Sequence, residues 1–182
     1  MTTVVRETRE TRIRIILAPG SGAATISTTV PFLDHMLEAL ARYAGLDLEV
    51  EATGDLRHHI IEDVALALGE AVRAALPTTA ARYGERTVPM DDALVQVVLD
   101  AGGRPWYEGP LPSTMYDHFM RSLSDAARMT LHIRVLRGQD RHHVVEATFK
   151  ALGLALRQAM TVSGESGVFS TKGSVRLEVD GC

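Results

Sequence analysis

The sequence predicts an α+β fold built from two similar two-layer half-domains, each a mixed sheet with helices packed on one face. Residues 34–76 and 117–160 share one order of features. Each has an Asp-His step, a helical pattern, a short alternating segment and a His-His-x-x-Glu motif that opens a long helix. Strand patterns precede the first helix of each half. We infer an internal duplication.

The spacing of the histidines supports this inference. From His35 to His58 the interval is 23 residues, and from His118 to His142 it is 24. Matching intervals between matching motifs favour a duplication over a chance alignment.

The first half-domain spans residues 1–86. Its predicted elements, in order, are strands over 12–18 and 24–30, a helix over 31–44, a strand over 46–52 and a helix over 57–76. The strand segments alternate or are rich in β-branched residues, whereas the helical segments repeat their apolar residues with a helical period. Pro31 suits the first turn of its helix, and Pro77 ends the second helix.

The second half-domain spans residues 87–182 and repeats this order. Its predicted elements are strands over 93–101 and 104–110, a helix over 112–127, a strand over 130–136, a helix over 141–160 and a last strand within 174–180. Each half therefore reads as strands, helix, strand, helix, and this pattern is typical of an α+β unit.

Composition excludes several classes of protein. The chain has 182 residues, of which 46% are hydrophobic and 23% charged, as in ordinary globular proteins. A net charge of −4 leaves no basic excess for a nucleic acid. No segment approaches the roughly 20 apolar residues of a membrane helix, and no signal segment opens the chain. The single cysteine, Cys182, cannot form an internal disulfide, which fits a reducing compartment. Together these features predict a cytoplasmic protein without nucleic-acid or membrane partners.

The two His-His-x-x-Glu motifs point to metal binding. Residues i and i+4 of a helix share a face, so His58 and Glu62 point at one metal, whereas His59 is turned about 100° away. The second motif repeats this arrangement, and each Asp-His step adds one imidazole. The predicted ligands are His35, His58, His59, Glu62, His118, His142, His143 and Glu146.

This donor set also predicts an oligomer. Imidazole and carboxylate ligands suit Mn, Fe or Zn. Adjacent histidines that diverge cannot easily serve two metals in one small cavity of a single chain, so we expect neighbouring chains to complete the sites in a symmetric homo-oligomer. A single His-His-x-x-Glu motif could equally be a surface feature without a ligand, so the metal hypothesis depends on the two copies.

We interpret His132, where the first repeat has Leu48, as an ordinary packed or surface histidine.

Several segments resemble the imidazoleglycerol-phosphate dehydratase family of histidine biosynthesis. They are FLDHML (32–37), HHIIEDVALALGEA (58–71), PMDDAL (89–94), TLHIRVLRG (130–138), HHVVEATFKAL (142–152) and STKG (170–173). The resemblance begins at RETRET (6–11), where Arg9 replaces the family's Lys, and covers nearly the whole chain.

The resemblance implies a lyase that removes water from imidazole glycerol phosphate to give imidazole acetol phosphate. It implies a 24-subunit assembly with two Mn²⁺ per active site between subunits, bound by the eight residues above. The residues that it implies for moving protons are Glu10, Glu62 and Glu146. Those that it implies for contacting the phosphorylated substrate are Glu10, Arg82, Arg104, Lys150, Ser170 and Lys172.

The implied chemistry suits these residue types. The leaving hydroxyl is not next to a carbonyl, so no ordinary enolate assists its departure. Metals on the substrate's imidazole would favour its imidazolate form, whose electrons expel the hydroxyl. Loss of the neighbouring C–H proton then gives an enol that becomes the ketone. Arginine forks and lysine ammonium groups fit the dianionic phosphate.

The first repeat departs from the family pattern. Arg57 and Ile60 flank the first His-His where the family has Asp and Thr, and Ala39 replaces a Gln. Tyr43-Ala44 replaces a His-Gly step. Two other hypotheses therefore stand beside the dehydratase: a divergent paralogue acting on another azole phosphate, and a non-catalytic assembly bridged by metals. The complete phosphate set argues against the non-catalytic assembly, because a purely structural site has no use for these cations.

Overall fold

A computed structural model describes residues 1–162. Its elements, in chain order, are β1 (Thr2–Glu7), β2 (Thr11–Pro19), β3 (Ala24–Ser27), α1 (Pro31–Ala44), β4 (Leu46–Gly54), α2 (Arg57–Ala75), β5 (Tyr83–Met90), β6 (Ala93–Asp100), β7 (Trp106–Glu108), α3 (Thr114–Ala127), β8 (Thr130–Arg137) and α4 (Arg141–Ala159). Both halves have three strands, a helix, a strand and a helix. This order confirms the duplicated α+β fold. The last strand predicted within 174–180 lies outside the described residues.

The two sheets have the same topology. Their strand orders are β1-β2-β4-β3 and β5-β6-β8-β7. In each sheet the first three strands are antiparallel, and the short fourth strand pairs parallel with its neighbour. Both sheets are therefore mixed, as predicted, and the duplication extends from the motifs to the strand pairing.

The sequence pattern missed β1 and β5, which form one edge of each sheet. No residue of β1 is buried, so its alternation carries little hydrophobic signal. In β5, Pro89 lowers the apparent strand propensity, although proline is tolerated on an edge strand. The predicted boundary between residues 86 and 87 lies within β5, and the division of the chain there stays a prediction.

Helices from both halves share one core. α1 and α2 pack on the first sheet, α3 and α4 pack on the second, and helices of different halves meet as α1 with α4 and α2 with α3. The fully buried side chains of Ile13, Phe119 and Phe149 belong to one continuous cluster. The histidine-bearing helices of the two repeats are thus brought side by side.

Two glycines lie where these helices touch. A Cβ atom on Gly69 of α2 would lie 2.7 Å from the Cβ of Ala126 on α3. A Cβ atom on Gly153 of α4 would lie 2.9 Å from the carbonyl oxygen of Leu40 on α1. Both distances are too short for a side chain, so glycine permits the close approach of each helix pair.

The structure corrects the comparison of His132 with Leu48. Leu48 is buried under the helices, whereas His132 is half-exposed on the opposite face of its strand. The two residues therefore have opposite orientations and do not occupy equivalent places. His132 lies 3.9 Å from the carboxylate of Glu108, on the outer surface of the sheet. This position agrees with its interpretation as a surface histidine.

Within residues 1–162, each helix is either too short or too polar to span a lipid bilayer.

Candidate metal centre

The first cluster joins α1 to α4. The Nε2 atoms of His35 and His142 lie 3.3 Å and 3.0 Å from Oε2 of Glu146. The donor atoms of all three residues lie within 4.8 Å of one another, which is close enough to share a single ion. The glutamate is buried, and both histidine side chains are about half exposed. The cluster is therefore fixed on one side and open on the other.

The second cluster joins α2 to α3 and has the same kinds of residue, but among residues 1–162 only the first cluster brings three donor atoms within 4.8 Å of one another. His58 Nε2 lies 3.3 Å from Oε2 of Glu62, one turn further along α2. The ring of His118 on α3 meets that of His58 with 5.6 Å between the centroids. Each cluster thus takes a His and a Glu from the long helix of one repeat and a His from the short helix of the other. Sequence spacing alone did not predict this exchange.

The aspartates of the two Asp-His steps fix the short helices. Asp34 Oδ1 accepts hydrogen bonds from the main-chain N–H (3.0 Å) and hydroxyl (2.5 Å) of Thr28. Asp117 Oδ1 accepts them from the hydroxyl of Tyr107 (2.7 Å) and the N–H of Leu111 (3.1 Å). Each aspartate ties the first turn of its helix to the preceding strand or loop. The histidine directly after each aspartate is thereby held in place at its cluster.

The helical period predicts that His59 and His143 point away from these clusters, and both rings contact other carboxylates. His59 lies beside Asp55 and Glu10, and His143 lies beside Asp91 and Asp92. The Nδ1 atom of His143 lies 2.6 Å from Oδ1 of Asp92, and this hydrogen bond, together with nearby aspartates, raises the pKa of His143 against the effect of burial.

His59 has the equivalent environment. Its Nδ1 lies 2.8 Å from Oδ1 of Asp55, and this hydrogen bond, together with the charge of Glu10, raises the pKa of His59 against burial. Glu10 itself lies 3.7 Å from the same nitrogen. The sequence analysis missed both Asp55 and Asp92. The spacing of four residues between Asp55 and His59 was a usable signal, whereas Asp92 lies in a distant turn.

The position of Glu10 follows from the RETRET segment. The hydroxyl of Thr8 accepts the main-chain N–H groups of Glu10 (3.1 Å) and Thr11 (3.0 Å), which closes the turn between β1 and β2. Arg6 forms an ion pair of 2.9 Å with Asp63, and the hydroxyl of Thr11 donates to the same carboxylate. These contacts dock the turn on α2, so Glu10 reaches His59.

Lys150 contacts the first cluster. Its Nζ lies 2.8 Å from Oε1 of Glu146 and 5.8 Å from the centre of the Tyr43 ring. Burial acts to raise the pKa of Glu146, but the hydrogen bond and charge of Lys150, with a contribution from His35, outweigh it and lower that pKa. The carboxylate is therefore kept ionised, as a metal ligand must be.

Arg82 and Arg104, two further predicted phosphate residues, have partners outside the two clusters. Arg82 forms a two-point ion pair with Asp100, with both N–O distances at 2.8 Å. These hydrogen bonds raise the pKa of Arg82 against burial. Arg104 is exposed, and its carbonyl accepts the hydroxyl of Thr130 at 3.1 Å. Ser170 and Lys172 lie outside the described residues. The phosphate role of this set stays a prediction.

Two of the residues at which the first repeat departs from the family pattern border one cavity. Arg57 and Ile60 line a cleft of about 550 Å³ with Phe32 and Asp55. Phe32 also contacts the ring of His142, with 5.2 Å between the centroids. The cleft therefore adjoins the first cluster through Phe32.

Two mixed sheets, the four helices packed on them and a histidine–carboxylate cluster compact enough for one metal ion define a duplicated α+β protein. The imidazoleglycerol-phosphate dehydratase family model matches residues 28–156. The dehydratase of Solidesulfovibrio magneticus is 48% identical in an alignment that covers 93% of this chain and 95% of that protein. The dehydratase of Pyrobaculum calidifontis is 47% identical in an alignment that covers 94% of this chain and 98% of that protein.

Solved structures of dehydratases have the same fold as this chain. The dehydratase of Pyrococcus furiosus superposes with a TM-score of 0.84 at 41% identity, covering 94% of this chain and 99% of that one. The dehydratase of Staphylococcus aureus superposes with a TM-score of 0.77 at 32% identity, covering 89% and 100%. The chain belongs to the imidazoleglycerol-phosphate dehydratase family.

Proposed function

We propose that two divalent metal ions, held by histidine–carboxylate clusters of neighbouring chains, support the dehydration that this chain catalyses. The reaction follows from the family: the chain is a hydro-lyase of histidine biosynthesis that converts imidazoleglycerol phosphate to imidazole acetol phosphate. The C–O bond to the hydroxyl breaks, the neighbouring carbon loses its proton, and the resulting enol becomes the ketone.

The observation that carries the metal proposal is the donor geometry. His35, His142 and Glu146 converge within 4.8 Å, and their donors are nitrogen and carboxylate oxygen. This set fits Mn²⁺, our proposed ion, and also fits Fe²⁺ or Zn²⁺. His58, Glu62 and His118 form the second set, and His59 and His143 complete the sites from adjacent chains. When bound, the ions supply Lewis acidity that favours the deprotonated form of the substrate imidazole.

The chain's own residues have separate tasks. Glu10, Glu62 and Glu146 are the candidates for moving protons, and Glu10 lies 3.7 Å from Nδ1 of His59. The predicted cations that hold the substrate phosphate are Arg82, Arg104, Lys150 and Lys172, with the hydroxyl of Ser170. We assign Lys150 a second task, because its contact with Glu146 also keeps that carboxylate ionised.

The exposure of the donor side chains supports a proposal that many copies of the chain assemble. About half of the His35, His58 and His142 side chains is exposed, so the donor sets open outwards. His59 and His143 point in other directions and cannot serve the same ion within one chain. A closed symmetric oligomer, the 24-mer that the family resemblance implies, brings the two kinds of site together. We place this enzyme in the cytoplasm, as its biosynthetic role suggests.

An assay of the purified protein tests the proposal. With Mn²⁺ and imidazoleglycerol phosphate, we expect the ketone product to appear by ultraviolet absorbance. His142→Ala and Glu146→Ala should each abolish turnover and loosen the assembly, whereas full activity in an intact oligomer of either variant contradicts the ligand assignment. Absence of turnover in the intact, metal-loaded protein favours an enzyme for another azole phosphate or a purely structural metal bridge.

A further inference from the structure

A carboxylate holds the second histidine of each pair through the same ring atom. The Nδ1 of His59 lies 2.8 Å from Asp55, and the Nδ1 of His143 lies 2.6 Å from Asp92. An acceptor at Nδ1 fixes the tautomer that carries its proton there and leaves the lone pair on Nε2. Both histidines can thus bind through Nε2, which in His143 lies 3.4 Å from Oδ2 of Asp91.

The main chain fixes both carboxylates. Oδ1 of Asp55 accepts the N–H of Leu56 at 2.7 Å. Oδ2 of Asp92 accepts the N–H groups of Gln139 at 2.6 Å and Asp140 at 3.1 Å, which leaves Oδ1 for His143. A carboxylate anchored in this way cannot follow a rotating ring, so it restricts the orientation of the imidazole.

The two repeats reach this arrangement by different routes. Asp55 precedes α2 and lies one helical turn before His59. Asp92 lies in the turn between β5 and β6, 51 residues before its histidine. The duplication therefore keeps the contact at the ring nitrogen, although the residues that make it do not correspond. A contact that persists without a common sequence origin points to a functional requirement at the ring.

We propose that Asp55 and Asp92 are positioning residues that orient His59 and His143 so that Nε2 of each faces a metal ion at the contact with a neighbouring chain. This proposal rests on the proposed function, because it takes both histidines as ligands. Removal of such a partner typically weakens metal binding about 10- to 100-fold.

Manganese binding to the assembled full-length protein tests the proposal. Asp55→Ala should raise the dissociation constant for Mn²⁺ about 10- to 100-fold. Asp55→Asn keeps an oxygen acceptor for Nδ1–H and loses only the charge, so its loss should be smaller. Asp92→Asn should weaken binding in the same direction. Equilibrium dialysis with metal analysis measures the constants, and thermal melting without metal reports whether each variant is folded.

Asp47→Asn is the matched control. Asp47 accepts the N–H groups of Ser21, Gly22 and Ala23 and touches no predicted ligand. We expect its Mn²⁺ affinity to remain within twofold of the unsubstituted protein. A loss in Asp47→Asn equal to that in Asp55→Asn would show a general effect of charge and overturn the proposal.

His59→Ala separates the two levels of the argument. If His59→Ala weakens binding but Asp55→Ala does not, the positioning role is wrong and the metal function stands. If neither variant changes the affinity, His59 is not a ligand and both proposals fail at this position. The positioning role is supported if both His59→Ala and Asp55→Ala bind Mn²⁺ more weakly, and if Asp55→Ala loses more affinity than Asp55→Asn.

Discussion

Gly69→Ala should separate two helices that carry candidate ligands. The added Cβ would lie 2.7 Å from the Cβ of Ala126, 2.8 Å from the nitrogen of Ala127 and 2.8 Å from the oxygen of Leu123. Ordinary contact begins near 3.4 Å, so α2 and α3 must move apart by about 0.7 Å at this point. Because two of the three neighbours are main-chain atoms, no side-chain rotation relieves the contact.

The expected cost can be worked from two opposing effects. Overpacking costs about 1–3 kcal/mol, and main-chain neighbours favour the upper part of that range. Alanine in a helix interior is about 1 kcal/mol better than glycine and offsets part of this cost. We therefore expect a net loss of about 1–2 kcal/mol, which corresponds to a fall in Tm of about 2–8 °C for a chain of this size.

Thermal melting followed by circular dichroism measures this change. Ala126→Gly removes the nearest clash but costs about 1 kcal/mol of helix propensity by itself, so Gly69→Ala with Ala126→Gly should lose less stability than the two single variants added together. Gly153→Ala should have a smaller effect, because its nearest contacts are 2.9 Å. If Gly69→Ala melts at or above the temperature of the unsubstituted protein, helix propensity dominates and the close approach of α2 to α3 is wrong.

Three further predictions each concern a single residue. Phe149→Ala, at a fully buried ring, should lower the free energy of unfolding by about 3–5 kcal/mol in a denaturant titration; a loss below 1 kcal/mol contradicts the core assignment. Hydrogen bonds from the main chain at Ala23 and its neighbours lower the pKa of Asp47, so its stabilisation is complete above the ordinary aspartate pKa and is lost as the pH falls through the lowered value. Asp47→Asn should therefore melt below the unsubstituted protein at pH 7, with a smaller difference in strong acid; a constant difference contradicts this. Lys172→Ala should raise KM for imidazoleglycerol phosphate with little change in kcat, and an unchanged KM contradicts its phosphate role.

Much of the donor set could be predicted from the sequence because helical spacing is local. Glu62 follows His58 by four residues, and that spacing alone puts both on one face. Which short helix faces which long helix depends on packing between the repeats. The sequence does not show that His118 lies beside His58, since the glycine contact that permits it joins residues distant in the chain.

The missed features have different physical reasons. The edge strands β1 and β5 bury little, so their hydrophobic pattern is weak. Asp92 reaches His143 across 51 residues, a distance that no local pattern spans. Asp55 precedes His59 by four residues, so the helical spacing made their contact open to prediction.

The claim that each chain contributes two clusters, each built from both repeats, is tested most directly by counting metal. The assembled protein, loaded with Mn²⁺, dialysed and analysed by atomic absorption, should hold two ions per chain. His118→Ala removes a donor from one cluster only and should leave about one ion per chain in an intact oligomer. Two ions retained in His118→Ala, or fewer than one in the unsubstituted protein, would contradict the account.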